Sequence, residues 1–151
     1  MNQAKYNIIR ATTNDAHTIL QIERETFKQT PWHLIDILLD LHQTKRCVMF
    51  LMLYSNKPIG YICTMFTRKR LHITQFAVLP AYQKRGFGQK LLNQANALAH
   101  VYNMQAEYLE VRKSNVNAQH LYYKNGFKII KTRKLYYFNP LESAYIMQKE
   151  L

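Results

Sequence analysis

The spacing of apolar residues changes period along this chain, and each change marks an element. YNIIRAT, residues 6–12, alternates as a strand does. TNDAHTILQIERETF then carries Ala16, Ile19, Leu20, Ile22 and Phe27 near a 3.6-residue period, which predicts a first helix with Thr13 or Asn14 as its N-cap. Pro31 should stop that helix and open a second short one over PWHLIDILLDLHQ. From Cys47 the pattern is continuously apolar: CVMFLMLY, then SNKP, then IGYICTMFT, a hairpin with strands covered on both faces. LHITQFAVL is a further strand, and Leu91, Leu92, Ala95, Leu98 and Ala99 share one face of a helix running from Gly86 to Val101. AEYLEVR is again a strand, residues 115–124 form a short helix stopped by Asn125-Gly126, and FKIIKTRKLYYF and SAYIMQKEL close the chain as two strands. The order β-α-α-β-β-β-α-β-α-β-β predicts an α/β fold with a mixed sheet. No repeat and no linker composition interrupts residues 1–151, which read as one domain.

Composition narrows the classes. With 48% hydrophobic residues and only four Gly and four Pro, the chain is neither fibrous nor disordered. Its longest apolar run, Val48 to Tyr54, is far below the ~20 residues of a spanning helix, and no leader pattern opens the sequence, so a cytoplasmic protein without a membrane partner is expected. Cys47 and Cys63 sit inside apolar runs and read as core residues, and the six His show no ligand spacing, so no metal is expected. The net charge of +12 favours polyanionic surroundings such as a ribosome, nucleic acid or a phosphorylated cofactor. Its basic clusters are scattered, however, and a solvated basic surface explains them as well.

The densest chemical signal is FAVLPAYQKRGFGQKLL, residues 76–92, where a strand meets a glycine turn and then a helix. A helix start presents unpaired N–H groups and a positive dipole end, and bare backbone at Gly86 and Gly88 lets an anion approach them. The turn matches neither a Walker A loop nor a Gly-x-Gly-x-x-Gly dinucleotide fingerprint, and a turn needing positive φ would account for the glycines equally well.

At this point the chain resembles the GNAT superfamily of acyl-CoA-dependent N-acetyltransferases, whose pyrophosphate loop Gln/Arg-x-x-Gly-x-Gly/Ala stands here as Gln83, Gly86 and Gly88. YLEVRKSNVNAQHLYYKNGF, residues 108–127, is similar to the ribosomal-protein alanine N-acetyltransferase (RimI-type) branch. The branch pattern Leu-Glu-Val-Arg-x-Ser-Asn-x-x-Ala-x-x-Leu-Tyr-x-x-x-Gly-Phe is met at each fixed position from Leu109 to Phe127. TPWH, AVLPAYQ and the YY…ESAYIM ending agree as well, so the resemblance covers nearly the whole chain.

The resemblance implies a GNAT fold with a splayed central sheet, acetyl-CoA as donor, and transfer to an amine, foremost a protein N-terminus such as that of a ribosomal protein. Backbone of Phe76, Ala77 and Val78 would pair with the pantetheine arm, with a backbone N–H of that strand, Val78, meeting the oxyanion. The loop Gln83, Lys84, Arg85, Gly86, Phe87 and Gly88 would hold the pyrophosphate, and Asn115 would bond the cofactor near its thioester. Glu110 would be the general base and Tyr122 the general acid, with Pro31, Trp32, Tyr136 and Tyr137 enclosing the acceptor. Each has a plainer reading: Asn115 as a helix N-cap, Glu110 as a surface ion pair with Arg112, Tyr122 and Trp32 as core aromatics, and Tyr123 as the rival of Tyr122. The chain departs from the branch at Leu79, where an Asp is usual, and at Glu142-Ser143-Ala144, where Glu-Asp-Ala is usual, which bears on the acceptor rather than on the reaction. A small-molecule amine, a Lys side chain, or a non-catalytic module binding ribosome or RNA are the alternatives, in a monomer or a homodimer.

Overall fold

The computed structural model describes residues 5–28 and 32–151. Its elements run β1 (Tyr6–Arg10), α1 (Ala16–Thr26), α2 (Leu34–His42), β2 (Cys47–Tyr54), β3 (Lys57–Thr67), β4 (Arg70–Val78), α3 (Phe87–Val101), β5 (Ala106–Arg112), α4 (Val116–Lys124), β6 (Lys128–Tyr137) and β7 (Glu142–Glu150). The order is the one the periodicity predicts. One seven-stranded sheet, β1-β2-β3-β4-β5-β7-β6, holds them together, antiparallel except where β4 runs parallel to β5. The crossover between those two strands is α3, as a parallel pair requires.

The helix starts differ from expectation. A 3-10 turn, Thr13–Asp15, precedes α1; Thr12 caps that turn, its N–H donating to Asp15 Oδ2 at 2.8 Å, and Asp15 rather than Thr13 or Asn14 stands at the cap position of α1. A carboxylate three residues on satisfies an otherwise orphaned donor more firmly than a hydroxyl does. The α2 helix begins at Leu34, after His33, whose N–H donates to Asp36 Oδ2 at 3.1 Å. Pro31, expected at that helix start, lies outside the described residues.

Each face of the sheet has its own core. On one face α3 and α4 cover Phe50, Ile62, Leu71, Ile73, Leu109 and Met147. On the other, α1 and α2 cover Met49, Leu51, Tyr61, Cys63 and Ala77, with Leu79 buried in the same cluster, which explains an apolar residue at that position. Cys47 and Cys63 are buried free thiols, and burial raises the pKa of both. No helix among the described residues is long and apolar enough to cross a membrane.

The parallel pair is short. β4 pairs with β5 only from Arg70↔Ala106 to Ile73↔Leu109, whereas on its other edge β4 stays paired with β3 as far as Val78. A register shift at Cys63/Thr64 marks the place, with Thr74 Oγ1 donating to the Cys63 carbonyl at 3.3 Å. Such a bulge bends its strand. Here β4 follows β3 away from β5, and a gap opens between them.

The end of β4 is held against β3 by Gly60, where a Cβ would stand 2.7 Å from the Ala77 carbonyl oxygen. Gly60→Ala is therefore expected to force the hairpin apart and to lower stability by about 1–3 kcal/mol. That corresponds to a melting temperature lower by roughly 3–9 °C. Thermal unfolding by circular dichroism checks it; an unchanged melting temperature would show that the strand contact yields freely.

Candidate active site

Strand alternation puts His72 of β4 and Glu110 of β5 on the sheet face that carries α1 and α2. There Glu110 Oε2 lies 2.6 Å from His72 Nε2. When the carboxylate is ionised it can only accept, and Nε2–H is then the donor of this pair. The imidazole is held flat against Tyr108, with centroids 4.3 Å apart and planes at 9°. Glu110 does not pair with Arg112, as its plain sequence reading had it. Arg112 instead donates to Glu142 Oε2 at 3.3 Å, to the Pro140 carbonyl at 3.1 Å and to the Phe138 carbonyl at 3.3 Å, and lies 4.3 Å from the Tyr137 ring. The β6–β7 connection thus offers the guanidinium several acceptors and a ring, more than one neighbouring carboxylate can. Glu142 also accepts from the Ser114 N–H at 2.5 Å, and its pKa is lowered by its bonds to Ser114 and Arg112.

Glu110 opens into a cleft of ≈ 380 Å³ lined by Trp32, Phe76, Tyr136 and Tyr137 among others. Adjacent strand residues normally point to opposite faces. Both tyrosines line the cleft because the β6–β7 register shifts between Arg133 and Tyr137, with Leu135 at φ +53°. Burial raises the pKa of each, the more so for Tyr137.

A second cleft, of ≈ 560 Å³, lies along the end of β4 between α3 and α4. Phe76, Ala77, Val78, Gln83, Lys84, Gly86, Gly88 and Asn115 line it, together with Lys124. Because the Leu79 N–H donates to the Ile59 carbonyl of β3 and backbone groups alternate in direction, those of Val78 face the gap. Gln83 Nε2 reaches back to the gap-facing Val78 carbonyl at 2.8 Å, so this side chain ties the loop to the end of β4 at the cleft wall. Gly86 is the residue before α3 at φ +85°, and the first N–H groups of α3 have no partner within the helix. A Cβ at Gly86 would meet nothing within 4 Å, so its glycine answers to backbone conformation and not to crowding. Arg85 and Phe87 face elsewhere. Arg85 sits over the rings of Tyr54, Tyr82 and Phe87, and Phe87 is buried in the core.

The two clefts share Phe27, Phe76, Asn115 and Tyr122, so they meet through the gap between β4 and β5. Tyr122 is 6% exposed and lines both, whereas Tyr123 is 48% exposed and lines neither, which separates the rivals. Burial pushes the Tyr122 hydroxyl far above its usual pKa. Asn115 caps α4, accepting from the Ala118 N–H at 3.2 Å, and lines both clefts as well, so its two readings are compatible. The cap Asn125 exchanges amide hydrogen bonds with Gln89 at 2.7 and 2.9 Å and so ties α4, which carries Tyr122, to α3.

Two residues at this site were missed in the sequence, Glu23 in the wall of the first cleft and His72 beside Glu110. Glu23 of α1 is fully buried, accepts from the Tyr61 hydroxyl and from the Trp32 N–H at 3.4 Å, and has a pKa raised by burial. Its place four residues after Ile19 and four before Phe27 puts it on the apolar face of α1, a signal legible in the periodicity. His72 had no local signal, because only the β4–β5 register brings it to Glu110. Among the described residues no cluster of metal-ligating side chains occurs.

Over 136 residues the chain is 31% identical to the [ribosomal protein bS18]-alanine N-acetyltransferase of Haemophilus influenzae, covering 88% of this chain and 90% of that one. A stretch of 84 residues is 43% identical to an N-alpha-acetyltransferase of Sulfurisphaera tokodaii, and the match spans 55% of this chain and only half, 50%, of that protein. The crystal structure of the ribosomal-protein-S18-alanine N-acetyltransferase from Escherichia coli superposes with a TM-score of 0.89 at 26% identity, over 97% of this chain and 94% of the other. Residues 13–127 match the acetyltransferase (GNAT) family, and the chain belongs to that family.

Proposed function

We propose that this protein acetylates the N-terminal α-amine of a polypeptide, using acetyl-CoA as donor. The observation that carries the reading is that two clefts on opposite sides of the sheet meet at Tyr122, with the Glu110–His72 pair on one side and the α3 helix start on the other. The relatives named for N-alpha and ribosomal-protein alanine acetylation support the choice of acceptor.

The second cleft suits a long phosphorylated thioester. Gap-facing backbone of Phe76 and Val78 is an edge to which an extended amide chain can add. Gly86, the N–H groups opening α3, and the cations Lys84 and Lys124 suit the phosphates. Bound acetyl-CoA supplies an acetyl group already activated as a thioester. The rest falls to the chain. Glu110 accepts the proton of the incoming ammonium, and His72, aligned by Tyr108, fixes the carboxylate oxygen that does so. An α-amine with a pKa of about 8 releases its proton far more readily than Lys at about 10.4, so a base without exceptional strength suffices. Tyr122 keeps its proton at neutral pH because burial disfavours the phenolate, and it holds that proton where the clefts join. Glu23 holds the Trp32 backbone and thereby one wall of the acceptor cleft.

Free and N-terminally blocked peptides, each containing Lys, should separate the acceptors: coenzyme A thiol release is expected only with the free series. Equal release from both would move the reading to Lys. Tyr122→Phe and Glu110→Gln are each expected to lower kcat by about 100-fold with acetyl-CoA affinity unchanged by calorimetry, whereas Tyr123→Phe leaves turnover intact. A fully active Tyr122→Phe would remove the proton-donor role. At the loop, Gly86→Val should weaken acetyl-CoA binding at least tenfold while Gly86→Asn, a residue that tolerates positive φ, keeps most of it. Equal affinities for the two variants would show that backbone conformation at Gly86 does not matter to the cofactor.

A further inference from the structure

The acceptor face of the sheet continues beyond Glu110, and helices leave that part uncovered. Cross-strand partners share a face. Tyr108 pairs with Gln148, Glu110 with Ile146 and Arg112 with Ala144 across β7, and these pair in turn with Lys128, Lys131 and Arg133 of β6. On the other side of Glu110, Arg70 of β4 lies 4.4 Å over the Tyr108 ring. Arg70, Lys128, Lys131 and Arg133 are all exposed, and none forms a salt bridge among the described residues. The acids of this face are occupied: Glu110 by His72, Glu142 by Arg112 and Ser114, and Glu150, at the end of β7, by Gln148 at 2.6 Å. Arg133 also lies 5.8 Å from the ring of Tyr136, which lines the acceptor cleft, so the cationic strip is continuous with the cleft mouth.

We infer that this strip selects acceptor polypeptides with acidic side chains shortly after the N-terminal residue. The inference rests on the N-terminal reading above and adds the substrate class. Lys131 stands two strands from Glu110, about 10 Å at the ordinary strand spacing. An extended peptide covers that distance in about three residues, which sets Asp or Glu at the third to fifth positions against Lys131 and Arg133. Nucleic acid is the other polyanion to weigh, but a strip this short reaches few phosphates, and tight nucleic-acid binding needs many. A basic acceptor would meet like charge here, at a cost in both encounter rate and affinity.

The test uses peptides with identical first two residues and Glu, Ser or Lys at positions three to five, compared by kcat/KM for coenzyme A release. The wild-type protein is expected to favour the Glu series over the Lys series by about tenfold, and the ratio should shrink as NaCl rises. Lys131→Glu/Arg133→Glu should reverse the order while leaving the Ser series within about twofold, since neither residue is placed in the catalytic or cofactor machinery. Lys128→Gln/Lys131→Gln, which only removes charge, should narrow the preference and serves if the reversal variant misfolds. Equal rates on Glu and Lys peptides, a Lys preference, or a preference that survives charge reversal would overturn the inference and leave N-terminal acetylation standing. Loss of RNA binding in the reversal variant with peptide preference unchanged would assign the strip to nucleic acid. Absence of activity on every peptide refutes the N-terminal reading and the strip's role together.

Discussion

Everything proposed for this protein depends on two parallel strands that stop pairing. β4 and β5 share hydrogen bonds only to Ile73 and Leu109, after which β4 bends with β3 and β5 continues with β7. An unpaired backbone group away from water costs free energy comparable to a lost hydrogen bond, so a sheet rarely leaves an internal edge open. Here part of that cost is met locally, by Gln83 on the Val78 carbonyl. The remaining edge is free to pair with an extended amide chain, and the gap beside it joins the clefts on the two faces of the sheet. In the proposed function binding and catalysis thus draw on the same break in the ladder.

The gap would be of little use were its walls mobile. Tyr122 is fixed by the core around Phe76 and Phe127 and by the Gln89–Asn125 amide pair that joins its helix to α3. On the opposite face Arg112 gathers the β6–β7 connection and sets Tyr137 beside the cleft, while Glu23 tethers Trp32. The Gln89–Asn125 and Glu23–Trp32 contacts are half-buried, in surroundings of reduced dielectric where one lost partner costs more than at the surface. The arrangement also frees Glu110 from Arg112, so that a carboxylate in a strongly basic protein is paired with an imidazole instead of a guanidinium.

Charge is distributed with the same economy. Acids are few, nine against 21 Lys and Arg, and those on the acceptor face each have a partner. Cations are left over among the described residues, at the cleft beside α3 and α4 as Lys84 and Lys124 and along β6 as Lys131 and Arg133. A branch position that is usually acidic is filled here by Leu79, which packs under α1 and α2, so its contribution is to the core and it adds no negative charge near the acceptor.

By itself the sequence determined what local physics can encode: element order from the apolar period, the stop at Asn125-Gly126, the glycine turn before α3, and the motif that singles out Glu110, Asn115 and Tyr122. The start of the first helix fell later than Thr13 or Asn14 because the Asp15 carboxylate accepts from the Thr12 N–H and closes a 3-10 turn ahead of it. Only the tertiary structure decided which partners met. The Glu110–Arg112 pair expected from neighbouring positions gave way to His72 and Glu142, residues 38 and 30 positions distant in the chain. Arg85, adjacent to the loop glycines, turned into an aromatic cage instead of the cleft, and Tyr122 was separated from Tyr123 by burial. The reason is common to all of these: strand register, bulges and packing set distances between residues far apart in sequence, and no local pattern specifies them.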